Sequence, residues 1–462
     1  MKDPVAAFTS VAARHRRCFW LDGGGAREWS GRRSIIGWLD ADDVSLTYDA
    51  ARGEVVRHAS GRAEPVGGDV FAMLEQELAS GRPTDQWFGY FGYAARPDLP
   101  AATGSGLPDA VWMRARHVQM FHHPTPMEGG DGSDPDAARE VPGGEGPGPW
   151  LGLAAEARNE RRLVGPGPSP PGADQGAGAG WDPPPIDYSR AFSRVQEHLH
   201  AGNSYEVNLT YRLAAAGALD PPTAYLRLRD INPAPYAGFL QHDLPGHRAW
   251  LLSSSPERYA LVDAERMIET KPIKGTTPRG GTPEEDAGLR ARLASEPKFR
   301  AENLMIVDLL RNDLAMVCEP GTVEVPLLMA VESYPSVHQL VSTVRGRLRG
   351  DVTTVGALRA LFPAGSMTGA PKLRTMQIID EVEASPRGPY SGAFGWIAAD
   401  GRADLGVIIR SLVTDGEGYV LGTGGGITVL SDLEDEYAES RWKAERLLQA
   451  LDPGQRSAPR SP

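Results

Sequence analysis

The 462-residue sequence has few cysteines and no long apolar run. Its two cysteines, Cys18 and Cys318, can form at most one disulfide and no Cys-x-x-Cys metal motif. No segment approaches the roughly 20 apolar residues of a membrane helix, and the N-terminus lacks the apolar core of a signal peptide. These absences predict a cytoplasmic protein in a reducing compartment.

Positive charge is also scarce. The chain has 48 Lys and Arg residues against 60 Asp and Glu residues, which gives a formal net charge of −12. A nucleic-acid-binding surface needs a basic patch to neutralise phosphates, so that class of function is disfavoured. A small anionic ligand stays compatible with this balance, because a local pocket can be basic on an acidic protein.

Common cofactor motifs are missing as well. The sequence contains no GxxxxGK[ST] phosphate loop, no HExxH motif and no strand–GxGxxG–helix unit. With 41% hydrophobic and 23% charged residues, however, it has enough apolar material for a sizeable core. The function must therefore depend on residues that these motifs do not describe.

Composition divides the chain into four stretches. Residues 1–123 are β-rich, and residues 186–452 mix helices with strands. Between them, the Gly- and Pro-rich stretch 124–185 is predicted to be a partly disordered insertion or linker, and residues 453–462 a loose tail. Because helices and strands do not alternate regularly, we predict an α+β fold with antiparallel strands, whose catalytic or binding domain is 186–452.

Two predicted helices carry acidic residues. In the helix over 434–451, Glu436, Glu439 and Lys443 fall within one narrow sector. In the helix over 298–317, Glu302 lies among apolar neighbours, where a charge must be paired or must bind a cation. Carboxylates from two helices suit Mg²⁺. Ordinary salt bridges explain the same pattern equally well.

A lysine stands out in the segment Pro-Ile-Lys-Gly-Thr. Lys274 follows a β-branched residue and precedes a Gly-Thr turn. A loop lysine is usually solvated, but one that is held in a pocket can lose its proton and become a nucleophile. Glu257 would then be the natural proton donor or acceptor near it.

Other candidates have both structural and functional interpretations. Arg410 follows a strongly apolar run, so we expect a bidentate carboxylate partner from the protein or from a ligand. The glycines 424–426 follow a predicted strand and indicate either a tight turn or a backbone cradle for a carboxylate. For His338 and Tyr390 alone, satisfied structural roles are the simpler interpretation.

Together these segments resemble the chorismate-utilising enzyme family. That family comprises component I of anthranilate synthase, component I of aminodeoxychorismate synthase, and the isochorismate and salicylate synthases. The resemblance runs from about residue 187 to 451, and residues 34–37 and 89–93 match more loosely. The motifs are GNSYEVNL (202–209), SPE (255–257), PIKGT (272–276), AENLMIVDL (301–309), RND (311–313), HQLVS (338–342), GAPK (369–372), GGGI (424–427) and EYAE (436–439).

The resemblance implies a fold with two packed antiparallel β-sheets surrounded by helices, as in anthranilate synthase component I. It implies that Glu302 and Glu439 bind Mg²⁺, with Glu436 assisting directly or through water, and that Glu257 is the general acid and base. The implied substrate-binding groups are His338, Ser366, Tyr390, Arg410, Lys443 and the amides of Gly424, Gly425 and Gly426.

Within the family, Lys274 implies the aminodeoxychorismate synthase branch, since anthranilate synthases usually carry Ala at its place. In that branch the lysine attacks C2 of chorismate, and the C4 hydroxyl leaves with help from Mg²⁺ and a general acid. Ammonia then enters at C4 and expels the lysine. A separate lyase makes 4-aminobenzoate, for folate or for a secondary metabolite.

Two positions differ from this pattern. Glu206 stands where ammonia-using synthases usually have Gln and water-using ones have Lys. The segment 232–236 resembles the anthranilate synthase version, which can line a tryptophan site. Anthranilate synthase component I is therefore an alternative, and an inactive scaffold for a glutaminase is another. Isochorismate and salicylate synthesis is disfavoured by Lys274.

The supply of ammonia follows from the cysteines. A glutaminase needs a nucleophilic Cys in a Gly-rich elbow, together with His and Glu. Neither Cys18 nor Cys318 has such a setting. We therefore expect ammonia to come from a separate glutaminase subunit, component II, or from concentrated solution.

Overall fold

A computed structural model describes residues 3–23, 33–123, 184–215, 217, 219–334 and 337–452. The described residues belong to one compact unit. The predicted disorder of 124–185 concerns residues that, except for the last two, lie outside these ranges, and so does the predicted loose tail 453–462.

The described chain contains nine α-helices. Six of them, α1, α2, α4, α5, α7 and α9 in the order below, begin after an Asp or Thr whose side chain accepts a backbone N–H of the first turn. The helices are α1 (Pro4–Arg14), α2 (Val70–Ser80), α3 (Ile186–His200), α4 (Pro221–Ile231), α5 (Pro283–Ser295), α6 (Pro297–Ala315), α7 (Thr354–Leu361), α8 (Lys372–Val382) and α9 (Leu433–Leu451).

The strands form two antiparallel sheets. Along the chain they are β1 (Arg17–Asp22), β2 (Arg33–Trp38), β3 (Ser45–Asp49), β4 (Glu54–Ala59), β5 (Arg62–Gly67), β6 (Gln86–Phe91), β7 (Ala110–Arg114), β8 (His117–His122), β9 (Glu206–Ala215), β10 (Tyr236–His242), β11 (Ala249–Ser255), β12 (Arg258–Val262), β13 (Met267–Lys271), β14 (Ile273–Pro278), β15 (Glu324–Ser333), β16 (Val337–Arg347), β17 (Gly369–Ala370), β18 (Ala393–Ala398), β19 (Ala403–Val407), β20 (Ser411–Thr414) and β21 (Tyr419–Ile427).

Sheet A has nine strands in the order β17-β9-β21-β20-β11-β10-β1-β2-β8. Sheet B has twelve, in the order β14-β16-β13-β12-β19-β18-β6-β7-β3-β4-β5, with β15 paired to β16. Strands from residues 1–123 and strands from residues 186–452 occur in both sheets. The N-terminal region is therefore continuous with the larger region through backbone hydrogen bonds.

The two sheets pack face to face. Phe19 of β1 stacks on Phe88 of β6, with ring centroids 4.0 Å apart, within a buried cluster that draws on both sheets. Helices cover the outer faces: α1, α4 and α9 contribute to a cluster with sheet A, and α2, α6 and α7 to one with sheet B. The predicted α+β fold with two packed antiparallel sheets is confirmed.

Three local predictions need correction. The apolar pattern of residues 404–413 predicts one strand, but the chain forms two, β19 in sheet B and β20 in sheet A, because it turns at Arg410, which has a φ of +50°. The glycines 424–426 lie inside β21 rather than in a turn after it. Lys274 lies on β14 and not in a loop.

Two further observations bear on the protein class. Cys18 and Cys318 are both free thiols and both buried. None of the helices in the described ranges combines the length and hydropathy that crossing a membrane would require.

Candidate active site

The ammonium group of Lys274 forms an ion pair with the carboxylate of Glu206. Lys274 lies on β14 of sheet B and Glu206 at the start of β9 of sheet A, so this contact joins the two sheets. The side chains are 11% and 1% exposed. The predicted nucleophile is therefore held inside the protein and not in bulk solvent.

Several negative charges surround this lysine. Burial by itself would lower the pKa of Lys274, but the carboxylates of Glu206 and Glu302 outweigh burial and raise the pKa above the usual lysine value. Glu257 acts in the same direction. Lys274 therefore rests as an ammonium ion and needs a proton acceptor before it can act as a nucleophile.

Glu257 has the properties of a general acid. It lies between β11 and β12, and Ser366 Oγ donates a hydrogen bond of 2.6 Å to its Oε1. Burial raises the pKa of Glu257 to about 7, against smaller opposite effects of Ser366 and Lys274. A carboxyl group that titrates near neutral pH can both give and take a proton.

Glu302, on α6, links the lysine to a second group of charges. Burial raises the pKa of Glu302 to about 7, and the charges that affect it include those of Lys274, Glu206, Lys298 and Glu436. Its Oε1 is buried and has no hydrogen-bond partner among the described residues. Such an oxygen is available to a cation or to a donor on a ligand.

The helix α9 carries the other predicted ligands. Glu436 is buried, and its Oε1 accepts a hydrogen bond of 3.0 Å from Lys298 Nζ. Glu439 forms a pair of 2.8 Å with Lys443, whose Nζ also donates to the Gly424 carbonyl at 3.0 Å. The i,i+4 pair that the sequence suggested is thus present.

The two carboxylates of α9 respond oppositely to their surroundings. Burial and the charge of Glu439 raise the pKa of Glu436, whereas Lys443 lowers the pKa of Glu439. Two glycines of β21 in sheet A lie beside these charged groups, Gly425 next to Glu436 and Gly426 next to Glu206. A Cβ at Gly425 would lie 3.2 Å from Glu436 Oε2 and 3.7 Å from Lys443 Nζ. A side chain at Gly426 would overlap Glu206 Oε1.

The three predicted Mg²⁺ ligands supply suitable chemistry but no preformed cage. Glu302, Glu436 and Glu439 offer carboxylate oxygens, which a hard cation prefers, and Glu302 Oε1 is unpartnered among the described residues. The three do not meet within 4.8 Å of one another, unlike a compact ligand group. A hydrated Mg²⁺, which keeps several waters and substrate oxygens, fits such spacing.

The described residues contain one compact group of potential metal ligands, and it lies elsewhere. Asp40, Asp43 and His117 come together in the N-terminal region. Arg116 pairs with Asp43 at 3.0 Å, and His117 with Asp40 at 2.8 Å, so each carboxylate already faces a basic side chain, although Asp43 Oδ1 accepts no hydrogen bond among the described residues.

Arg410 and Tyr390 lie near each other under sheet A. The Arg410 guanidinium lies over the Trp442 ring at 5.6 Å, and no carboxylate forms an ion pair with it in the described ranges. The charge of Glu439 nevertheless acts on Arg410, so the bidentate carboxylate partner predicted for Arg410 stays a prediction. Tyr390 is buried, and the Arg212 guanidinium lies 4.8 Å from its ring centre.

His338 is engaged by other protein groups. Its ring nitrogens lie 2.7 Å from Ser333 Oγ and 3.0 Å from Asp286 Oδ1. Arg279 pairs with the same Asp286. No described contact joins His338 to Lys274, so its predicted place in the substrate pocket stays a prediction.

Two features escaped the sequence analysis. Lys298 lies one helical turn before Glu302 on α6, and this i,i+4 spacing could have indicated its role. Beside Tyr390, Glu383 pairs with both Arg212 and Arg387. Arg387 lies only four residues after Glu383, whereas Arg212 lies 171 positions away on β9, so local sequence spacing does not reveal the pair with Arg212.

In the segment 232–236, the side chains bond within the protein. Asn232 Nδ2 donates to Ser254 Oγ at 2.8 Å, and Tyr236 Oη donates to Asp404 at 2.9 Å. The tryptophan site suggested for this segment stays a prediction.

Comparison with known proteins is consistent with this geometry. A family profile described as chorismate binding enzyme matches residues 16–449. The aminodeoxychorismate synthase of Streptomyces pristinaespiralis is 42% identical over 481 residues, covering 97% of this chain and 64% of that protein. Aminodeoxychorismate synthase component 1 of Escherichia coli (strain K12) is 43% identical over 265 residues, covering 57% of each chain.

A solved structure is also similar. Anthranilate synthase component I from Streptococcus pneumoniae TIGR4 superposes with a TM-score of 0.66 at 25% identity, covering 90% of this chain and 92% of that one. The chain spans 64% and 63% of the length of the two Streptomyces relatives, from S. pristinaespiralis and S. griseus.

Proposed function

Because the chain belongs to the chorismate binding enzyme family, we propose that it acts as an aminodeoxychorismate synthase, which converts chorismate and ammonia to 4-amino-4-deoxychorismate. The observation that carries this proposal is the burial of Lys274 among Glu206, Glu302 and Glu257. The names of the relatives from Streptomyces and Escherichia coli support the same activity.

The substrate is a dicarboxylate, and the site offers cations for it. Arg410 has no carboxylate partner among the described residues, and Lys443 projects from α9 to the Gly424 carbonyl. Together with the amides of Gly424, Gly425 and Gly426, these cations would hold the substrate carboxylates. His338, Ser366 and Tyr390 would line the rest of the pocket.

The chemical steps need one nucleophile and one acid. Lys274 would attack C2 while the protonated form of Glu257, which a pKa of about 7 keeps well populated at neutral pH, gives its proton to the departing C4 hydroxyl. Ammonia would then add at C4 as Lys274 leaves C2, and Glu257 would recover a proton from the new ammonium group. The nitrogen therefore ends at C4 and not at C2.

Glu302, Glu436 and Glu439 would hold Mg²⁺, which when bound neutralises a substrate carboxylate and lowers the cost of charge development. In their present arrangement Lys298 and Lys443 balance the charges of Glu436 and Glu439.

Ammonia would come from outside the described site. The Escherichia coli relative is named as a component 1, which implies a second component. Burial raises the pKa of both cysteines, that of Cys318 to about 11, so neither thiol is suited to attack glutamine. A glutaminase partner in the cytoplasm is our proposal for the source.

Product identification tests this function. Purified protein is incubated with chorismate, Mg²⁺ and ammonium chloride, with and without an added aminodeoxychorismate lyase, and the products are identified by mass. We expect aminodeoxychorismate alone, and 4-aminobenzoate when the lyase is added. Fluorescent anthranilate without lyase would instead identify an anthranilate synthase, and no product would identify an inactive scaffold.

A further inference from the structure

Glu206 contacts the proposed nucleophile, yet the function proposed above gives it no role. Its carboxylate is 1% exposed, and one oxygen pairs with Lys274. The other oxygen, Oε2, is buried and has no hydrogen-bond partner among the described residues. Glutamine would fill the same space without a charge, so the carboxylate needs an explanation.

A purely structural ion pair does not explain this arrangement well. Burying a carboxylate is unfavourable unless its lone pairs are satisfied. Here one oxygen stays unsatisfied, and the missing side chain of Gly426 on β21 leaves room beside Glu206 and Lys274. A buried polar atom without a partner calls for an explanation, and a role in proton transfer is one that its contact with Lys274 supports.

The proposed reaction needs a proton acceptor beside Lys274. An ammonium ion has no lone pair with which to attack carbon, so its proton must move to a base within hydrogen-bond reach. Glu257 already accepts a hydrogen bond from Ser366, and as general acid it must start the reaction protonated. The carboxylate of Glu206 pairs directly with the ammonium group.

We propose that Glu206 is a catalytic residue that takes the proton from Lys274 before the lysine attacks C2 and returns it when the lysine leaves. This inference rests on the proposed function. In the first step the Nζ lone pair forms the bond to C2, the ring double bonds shift, the C4–O bond breaks, and Glu257 gives its proton to form water.

The return step restores both carboxyl groups. Ammonia forms the C4–N bond, the C2–N bond breaks, and its electron pair stays on Nζ of Lys274. The neutral amine then regains its proton from Glu206, and Glu257 takes one from the new C4 ammonium. The sum is the exchange of a hydroxyl for an amino group with release of one water.

The two carboxylates thus serve opposite ends of the shifting double bonds. Glu257 exchanges a proton with the substituent at C4, and Glu206 exchanges a proton with the lysine nitrogen that bonds to C2. The other charge that faces both Lys274 and Glu206 is that of Glu302, and Glu257 also acts on Lys274. No further cation is paired with Glu206 in the part of the chain that the structure describes.

The formation of the lysine adduct tests this role. Protein, chorismate and Mg²⁺ are mixed without ammonia, quenched at intervals, and measured by intact mass for a gain equal to chorismate minus one water. For Glu206→Gln we expect adduct formation about 100-fold slower at pH 7, the usual size of a general-base effect. The difference in rate between the wild type and Glu206→Gln should become smaller as pH rises, because solvent can then deprotonate Lys274.

Two variants control the comparison. Glu206→Asp keeps a carboxylate at this position, so it should form the adduct faster than Glu206→Gln and should show the wild-type pH profile. Glu434→Gln removes an equal charge from an exposed position on α9 and should leave the rate unchanged. Circular dichroism shows whether each variant is folded. If Glu206→Gln is not folded, Glu206→Ala with added formate replaces it: faster adduct formation with formate supports the base, and no acceleration overturns it.

The outcomes separate this role from the proposed function. If the wild type forms the adduct and Glu206→Gln matches its rate, the role of Glu206 is overturned while the function stands. A slower rate with an unchanged pH profile also overturns it, because a structural defect is independent of base strength. If the wild type makes product without any adduct, the lysine mechanism and this role fail together.

Discussion

Gly426 lies directly beside Lys274, although the two residues belong to different sheets. A Cβ at Gly426 would lie 3.2 Å from Lys274 Nζ and would overlap the carboxylate of Glu206. The ion pair between Lys274 and Glu206 therefore requires a residue without a side chain at position 426 of β21.

We expect Gly426→Ala to reduce adduct formation strongly, because the added methyl group must displace the carboxylate or the ammonium. The measurement is the same intact-mass assay with chorismate and Mg²⁺. Gly418→Ala is the matched control, since a Cβ there has no atom within 4 Å. Equal rates for the two variants would show that the space beside Lys274 has no importance.

A pH dependence follows from Glu257. Burial raises its pKa to about 7, and the general acid must be protonated to release the hydroxyl. The rate of adduct formation should therefore be constant below pH 7 and fall about tenfold per pH unit well above it. Glu257→Gln should be slow and lack this descending limb.

The hydrogen bond that Ser366 donates to Glu257 allows a second test of the same carboxyl group. That bond lowers the pKa of Glu257, so Ser366→Ala should move the descending limb to higher pH. Single-turnover rates between pH 6 and 9 measure the shift. A limb at the wild-type position in both Ser366→Ala and Glu257→Gln would assign the titration to another group.

Removing a carboxylate from α9 should weaken the response to Mg²⁺. In Glu439→Gln a neutral amide replaces a ligand that a hard cation prefers, so we expect at least a roughly 10-fold weaker affinity. Isothermal titration calorimetry measures it, with Glu434→Gln as the control on the same helix. Wild-type Mg²⁺ affinity in Glu439→Gln would remove this residue from the metal site.

Lys298 should compete with Mg²⁺ for Glu436. Its ammonium contacts that carboxylate at 3.0 Å but is partly exposed, and pairs of this kind contribute up to about 1 kcal/mol. Lys298→Met should therefore bind Mg²⁺ up to about fivefold more tightly by calorimetry, whereas Lys298→Arg should resemble the wild type. Weaker binding by Lys298→Met would mean that the lysine supports the metal site.

Elements with a strong local pattern could be predicted from the sequence. The helix predicted over 434–451 is α9, Leu433–Leu451, because its apolar residues recur at helical spacing and Asp432 caps its first turn. The acidic residues of α6 and α9 could likewise be singled out, since charges among apolar neighbours are recognisable without a structure.

Long-range pairing could not be predicted in the same way. The ion pair between Lys274 and Glu206 joins residues 68 positions apart on different sheets, and no local spacing encodes it. The sequence pattern also does not show that the chain passes from sheet B to sheet A at Arg410. Both flanking segments are apolar enough for one continuous strand, and pairing with other strands determines where the chain turns.

The central claim is that Lys274 is the nucleophile, and turnover by Lys274→Ala tests it most directly. With chorismate, Mg²⁺ and ammonium chloride, we predict that this variant loses 4-amino product or forms it very slowly, while equilibrium binding still detects chorismate. Lys274→Arg, which keeps the positive charge beside Glu206, should be equally inactive. Aminodeoxychorismate formation at the wild-type rate by Lys274→Ala would contradict the account.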